Sequence, residues 1–131
     1  MALKQQRPRK RVIPFYPDDP LREAIESHQL FCAVELLQHG VDIELVSSRN
    51  ELTPLMRAVE TGAFDIMEHL LENRANVHSR SEQGLTPLHF AAYHCRPNEV
   101  ALLLHHGSEM NALTDDRQTP LYMTALKVRE L

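Results

Sequence analysis

Eight histidines and two cysteines are the side chains of this 131-residue chain best suited to chemistry. His89, His94 and Cys95 fall close together and His105 is followed by His106, which raises the question of a metal site. Structural zinc sites present their ligands as spaced pairs, and the sequence contains neither a CxxC nor an HxxxH spacing. Cys32 has His28 one helical turn before it, the spacing of a thiolate–imidazole pair, but its apolar neighbours predict a buried structural cysteine. Asp18–Asp19 and Asp115–Asp116 are adjacent carboxylates; neighbours in a loop point apart and read as solvated turns or helix caps, not as an acid–base pair. With only four glycines there is no phosphate-cradling loop and no G-x-S-x-G elbow. The expectation is a non-enzymatic chain with no catalytic residue, no metal and no cofactor.

Charge is segregated. Residues 1–12 carry Lys4, Arg7, Arg9, Lys10 and Arg11 and no acid, whereas the rest of the chain keeps nine of the fourteen basic and all eighteen acidic side chains, a charge of −9. Such a body repels nucleic acid and anionic membranes, so a nucleic-acid partner is expected only through the arm. Arg7, Arg9, Lys10 and Arg11 have the composition of a nuclear-localisation cluster, and the prolines at 8, 14, 17 and 20 favour an extended arm. Val12, Ile13, Phe15 and Tyr16 are too apolar to leave in water; they either pack on the body of the chain as a cap or form a docking peptide. No run of 18 apolar residues could span a bilayer, and the N-terminus lacks the apolar core of a signal peptide. Two cysteines 63 positions apart make no disulfide framework, so the expected location is cytoplasmic or nuclear, with no membrane partner.

What positions these residues is an internal repeat. Thr53-Pro54-Leu55, Thr86-Pro87-Leu88 and Thr119-Pro120-Leu121 recur every 33 residues, and Arg74-Ala75-Asn76-Val77-His78 is in phase with Gly107-Ser108-Glu109-Met110-Asn111. An earlier copy, with Pro20-Leu21, Ala24-Ile25, Leu36-Leu37 and Gly40-Val41-Asp42, lies 34 residues upstream. Thr before Pro before an apolar run is a helix start: the hydroxyl accepts from an early helical N–H and the proline sets φ. Leu55, Ala58 and Val59, like Leu88, Ala91 and Ala92, fall at i, i+3, i+4 and form a narrow face of mostly small residues. Gly62 ends that first helix, and a second carries Phe64, Met67, Leu70 and Leu71; in the next unit it carries Val100, Leu103 and Leu104 behind an expected N-cap at Asn98. Each unit is two antiparallel helices and a polar connector.

The stretch Gly84-Leu85-Thr86-Pro87-Leu88-His89-Phe90-Ala91-Ala92 resembles the ankyrin repeat in period and motif. The resemblance covers residues 17–131 and implies an all-α solenoid of antiparallel helix pairs joined by β-hairpin-like connectors, behind an arm at 1–16. The units fall at about 17–47, 48–80 and 81–113, with a truncated one at 114–131. It implies that His89 ties a loop to its helix start through hydrogen bonds. Departures are Met56 and Tyr122 for the motif histidine, Glu51 and Arg117 for the glycine before Leu52 and Gln118, and Cys95 and Val128 for the helix-ending glycine. The first unit has Arg22 at the histidine position and no threonine before Pro20, as a polar cap would. In the last unit Leu121, Ala125 and Val128 form a stripe with no second helix to cover it; either this helix is a minimal cap or the chain is a fragment or short isoform, and self-association through the stripe or fraying of the helix is expected.

The resemblance also implies a function, an adaptor that grips a protein partner on the concave face of fingers and first helices. Its variable contact positions map to Arg49, Asn50, Leu52, Glu60 and Thr61, then Glu82, Gln83, Leu85, Tyr93 and His94, then Asp115, Asp116 and Gln118, with Tyr93 the foremost anchor. The alternative is a nuclear or nucleic-acid-associated factor acting through the arm, the repeats serving as scaffold. Some members of the family are substrates of an asparaginyl hydroxylase, and Leu103, Glu109, Met110 and Asn111 match its pattern, echoed by Leu70, Asn76, Val77 and His78. The other reading of Asn111 is that its side chain closes a turn.

Overall fold

The computed structural model describes residues 12–13, 20–47 and 51–129, with side chains at 20–46 and 51–129. Threonine–proline pairs start the helices where the repeat places them. Helix α3 (Pro54–Thr61) opens with the Thr53 hydroxyl accepting from Met56 N–H at 3.2 Å, and α5 (Pro87–Tyr93) with Thr86 in the same position. The short pieces around them are α1 (Pro20–Glu26), α2 (Leu30–Gln38), α4 (Phe64–Glu72), α6 (Pro97–His105) and α7 (Pro120–Arg129). Helices this short are marginal alone and are held by packing. Accordingly α1, α3, α5 and α7 stack in order as one layer, while α2, α4 and α6 each pair with the helix before them.

The core is deepest where a unit has neighbours on both sides. Leu55, Met56, Ala58, Val59, Ile66, Met67 and Leu70 are all at most 1% exposed, each apolar side chain of Leu, Ile or Met size contributing roughly 1.5–3 kcal/mol. Cys32 corrects the sequence expectation, for it is exposed rather than buried. Its equivalents Ile66 and Glu99 are buried and belong to units that follow another, whereas α2 has no repeat before it among the described residues. Asn98 is not the N-cap of α6 either: the helix begins at Pro97, whose fixed φ suits the first helical position, and Arg96 stands at the cap without a side-chain bond to the helix.

The connectors end in tight fingertip turns. Ser81 N–H donates to Leu85 C=O and Gly84 N–H to Ser81 C=O, both at 2.9 Å; one period on, Thr114 N–H donates to Gln118 C=O at 3.0 Å and Arg117 N–H to Thr114 C=O at 2.8 Å. The left-handed turn position is Gly84 at φ 81°, but Glu51 and Arg117 hold the same conformation at 54° and 62° without glycine's freedom. Asp115 N–H donates to Gln83 C=O at 3.2 Å and locks one finger to the next. At the first finger, β1 (Val12–Ile13) pairs in parallel with β2 (Val46–Ser47), Val12 opposite Val46. This backbone pairing supports the capping alternative for Val12 and Ile13; Phe15 and Tyr16 lie outside the described residues.

Candidate functional site

Fingers and first helices enclose a groove of about 380 Å³ lined by Leu52, Glu60, Ser81, Glu82, Gln83, Leu85, Phe90, Tyr93, His94 and Met123. Its walls are built by the repeat: Leu52 follows one fingertip, Ser81–Leu85 is the next, and Glu60, Phe90, Tyr93, His94 and Met123 come from α3, α5 with its cap residue, and α7. The groove thus brings together seven of the positions expected to touch a partner, Leu52, Glu60, Glu82, Gln83, Leu85, Tyr93 and His94. Thr61 is elsewhere, its hydroxyl donating to Arg57 C=O at 2.9 Å and its carbonyl 3.0 Å from His28 Nε2. Gln118 is half-buried, its N–H donating to the Thr114 hydroxyl at 3.1 Å; Asp115 and Asp116 are exposed at the following fingertip. Arg49, Asn50 and the cluster Arg7, Arg9, Lys10 and Arg11 lie outside the described residues.

Sequence reasoning missed Phe90, Met123 and Ser81. Phe90 and Met123 occupy the variable position between the motif histidine and alanine, where the first full unit has Arg57; three unlike residues inside an otherwise repeated motif were the available signal. Ser81 is buried and its hydroxyl accepts from Leu85 N–H at 3.2 Å, so it shapes the finger.

His89, buried and outside the groove's lining, joins two units. Its Nδ1 accepts from Thr86 N–H at 3.1 Å and lies 2.8 Å from the Thr86 hydroxyl, which leaves the proton on Nε2 to donate to Gln118 C=O at 2.9 Å. One neutral tautomer therefore ties its own helix start to the next finger, as the resemblance implied. Burial pushes the His89 imidazole below the usual histidine range, partly offset by the Gln118 and Ala112 carbonyls and reinforced by Arg80. Arg80 Nη1 in turn donates to Gly84 C=O at 3.1 Å and to Leu113 C=O, bracing two fingers.

The groove's surface is mixed. Burial also lowers His94, with Arg96 acting in the same direction and Glu60 opposing. The Tyr93 ring stands edge-on to His94 at 5.3 Å, and Lys127 Nζ lies 5.1 Å from its centroid. Glu60 and Glu82 enter no salt bridge among the described residues. Apolar floor, one aromatic anchor and two open carboxylates suit recognition of a side-chain-bearing chain. No group of three His, Cys, Asp or Glu stands close enough to hold a metal among the described residues.

Two family-model matches, described as ankyrin repeats in many copies, cover residues 36–87 and 70–122. Inversin of Gallus gallus is 34% identical over 98 residues, 75% of this chain and 9% of that protein. An ankyrin repeat protein of fowlpox virus is 37% identical over 93 residues, 70% of this chain and 27% of its own length. The rat Arf-GAP with coiled-coil, ANK repeat and PH domain-containing protein 2 is 42% identical over 69 residues, 52% of this chain and 9% of that protein. The chain therefore spans a minor part of each relative, and what it shares with them is the repeat itself: it belongs to the ankyrin-repeat family.

Proposed function

We propose that the chain is an adaptor that binds a protein partner in the groove between its fingers and first helices. Ankyrin repeats generally serve as protein–protein interaction modules, and no helix among the described residues is long and apolar enough to cross a membrane. The observation that carries the finer reading is the groove itself, where Phe90, Tyr93 and Leu85 offer contact area beside open carboxylates. Tyr93 is the anchor, since a rigid aromatic orders at little entropic cost. The reading places the adaptor in the cytoplasm, with Arg7, Arg9, Lys10 and Arg11 serving nuclear entry.

Panning a displayed library of protein fragments on the chain tests this. The reading expects clones that lose at least about tenfold in affinity on Tyr93→Ala, the scale of a hot-spot truncation, and are indifferent to Glu72→Ala on α4. Clones that ignore Tyr93→Ala and depend on α2, α4 or α6 would contradict it.

One observation favours an additional role for Asn111. Its side chain is exposed and makes no hydrogen bond among the described residues, whereas Asn76, one period earlier than Glu109, accepts from His78 N–H at 2.9 Å. We infer that Asn111, with His78 as the weaker site, is open to asparaginyl hydroxylation. Mass spectrometry after incubation with the hydroxylase should show one added oxygen on the peptide holding Asn111; an unmodified peptide beside a modified control substrate would refute it.

A further inference from the structure

We infer that the groove is occupied by the chain's own basic arm, residues 4–11, which any partner must displace. The inference rests on reading the groove as the binding surface and adds its regulation. Charge is the first argument. The arm holds five cations and no acid, while the groove offers Glu60 and Glu82, with Asp115 and Asp116 at the next fingertip. The cations facing the groove are otherwise engaged: Lys127 lies over the Tyr93 ring, and Arg96 Nη2 donates to the Glu60 carbonyl at 3.3 Å. Arginines of the arm also suit the face of Phe90.

The tether is the second argument. The arm runs directly into β1, and β1 lies along β2 on the finger whose return leg carries Leu52, a wall of the groove. Because the pairing is parallel, the chain enters β1 from the base of that finger, the end nearer the helices. Eight extended residues span about 26 Å at ~3.3 Å each. Helix axes in contact sit roughly 8–10 Å apart, so crossing two units takes about 20 Å. The arm reaches, and tethering presents it at an effective concentration on the order of millimolar.

Limited trypsin digestion of the full chain, read by mass spectrometry at Arg9 and Lys10, tests the assignment against a synthetic peptide of residues 1–13. At ~20 mM salt both sites should be cut about fivefold more slowly than in the free peptide, and at ~0.5 M salt at nearly the peptide's rate. Glu60→Gln with Glu82→Gln should abolish the protection. Glu68→Gln with Glu72→Gln, the same change of net charge on exposed positions of α4, should leave it intact. Glu82→Gln alone, at an exposed side chain, should remove part of it and guards against misfolding of the double variant. Cleavage at the peptide's rate, equal loss of protection in both double variants, or protection that rises with protein concentration would overturn the inference. The last result would place the arm in a second copy. If those results appear while panned clones still depend on Tyr93, the adaptor reading stands; if the arm is protected through Glu60 and Glu82 while clones map elsewhere, that reading falls alone.

Discussion

Replacing Thr86 by alanine removes two things at once. The hydroxyl accepts from His89 N–H at 3.4 Å, a long cap bond, and sits 2.8 Å from His89 Nδ1 in a site where Thr86 is only 5% exposed. Loss of an N-cap costs about 1 kcal/mol. Loss of the hydroxyl's bond to a buried imidazole adds about 1 kcal/mol, because Nδ1 then keeps only the backbone N–H as partner. Thr119→Ala removes one bond, to Tyr122 N–H at 3.2 Å, at a half-buried site on a helix packed chiefly against α5; about 0.5 kcal/mol is expected there. At a urea slope of roughly 2 kcal/mol per molar, the midpoints should fall by about 1 M for Thr86→Ala and about 0.25 M for Thr119→Ala. Thr86→Ser, which keeps the hydroxyl, should stay close to the unmodified chain's midpoint. Equal midpoint shifts for the two alanine variants would refute the claim that the His89 network and position in the stack set the cost.

Cys95, exposed and held at φ 52° where an earlier unit has Gly62, should gain about 0.5–1 kcal/mol on Cys95→Gly, visible as a higher thermal midpoint; a lower midpoint would contradict the strain. Gly84→Ala should cost about 2 kcal/mol or more, since its Cβ would lie 2.8 Å from Asp115 N at a positive φ; an unchanged midpoint would mean the fingers are not locked together. His89 and His94 both titrate below the usual histidine value when folded, so on acidification the unfolded state binds their protons first. Their contribution is complete above the unfolded histidine value and is lost as pH falls below it toward the folded values; melts at descending pH should show this, and His89→Asn should flatten the curve. Leu121 is 78% exposed and Val128 57%, so sedimentation should show concentration-dependent association that Leu121→Glu abolishes; a monomer at every concentration would end that reading.

First helices were legible because capping and proline are local: Thr53, Thr86 and Thr119 announce α3, α5 and α7 within four residues. Second helices carry no such signal, since Gln29, Ala63 and Arg96 precede α2, α4 and α6 without a side-chain cap, and so the start of α6 was misplaced at Asn98. Burial was legible where the repeat supplies neighbours, as at Leu55 and Leu70, and misleading at Cys32, whose exposure depends on what stands beside its unit. The parallel pairing of Val12 with Val46 is a long-range contact that no local pattern encodes. Seven groove positions came from the family's phase; Phe90 and Met123 did not, because a variable position inside a motif shows its direction only once the helices are stacked.

Hydrogen exchange of the full chain, with and without a panned fragment bound at saturation, tests the adaptor reading most directly. Exchange should slow at residues 81–85 and 90–94 and around Leu52 and Met123, with α2, α4 and α6 unchanged. Protection confined to α2, α4 and α6, with the fingers exchanging as in the unbound chain, would contradict it.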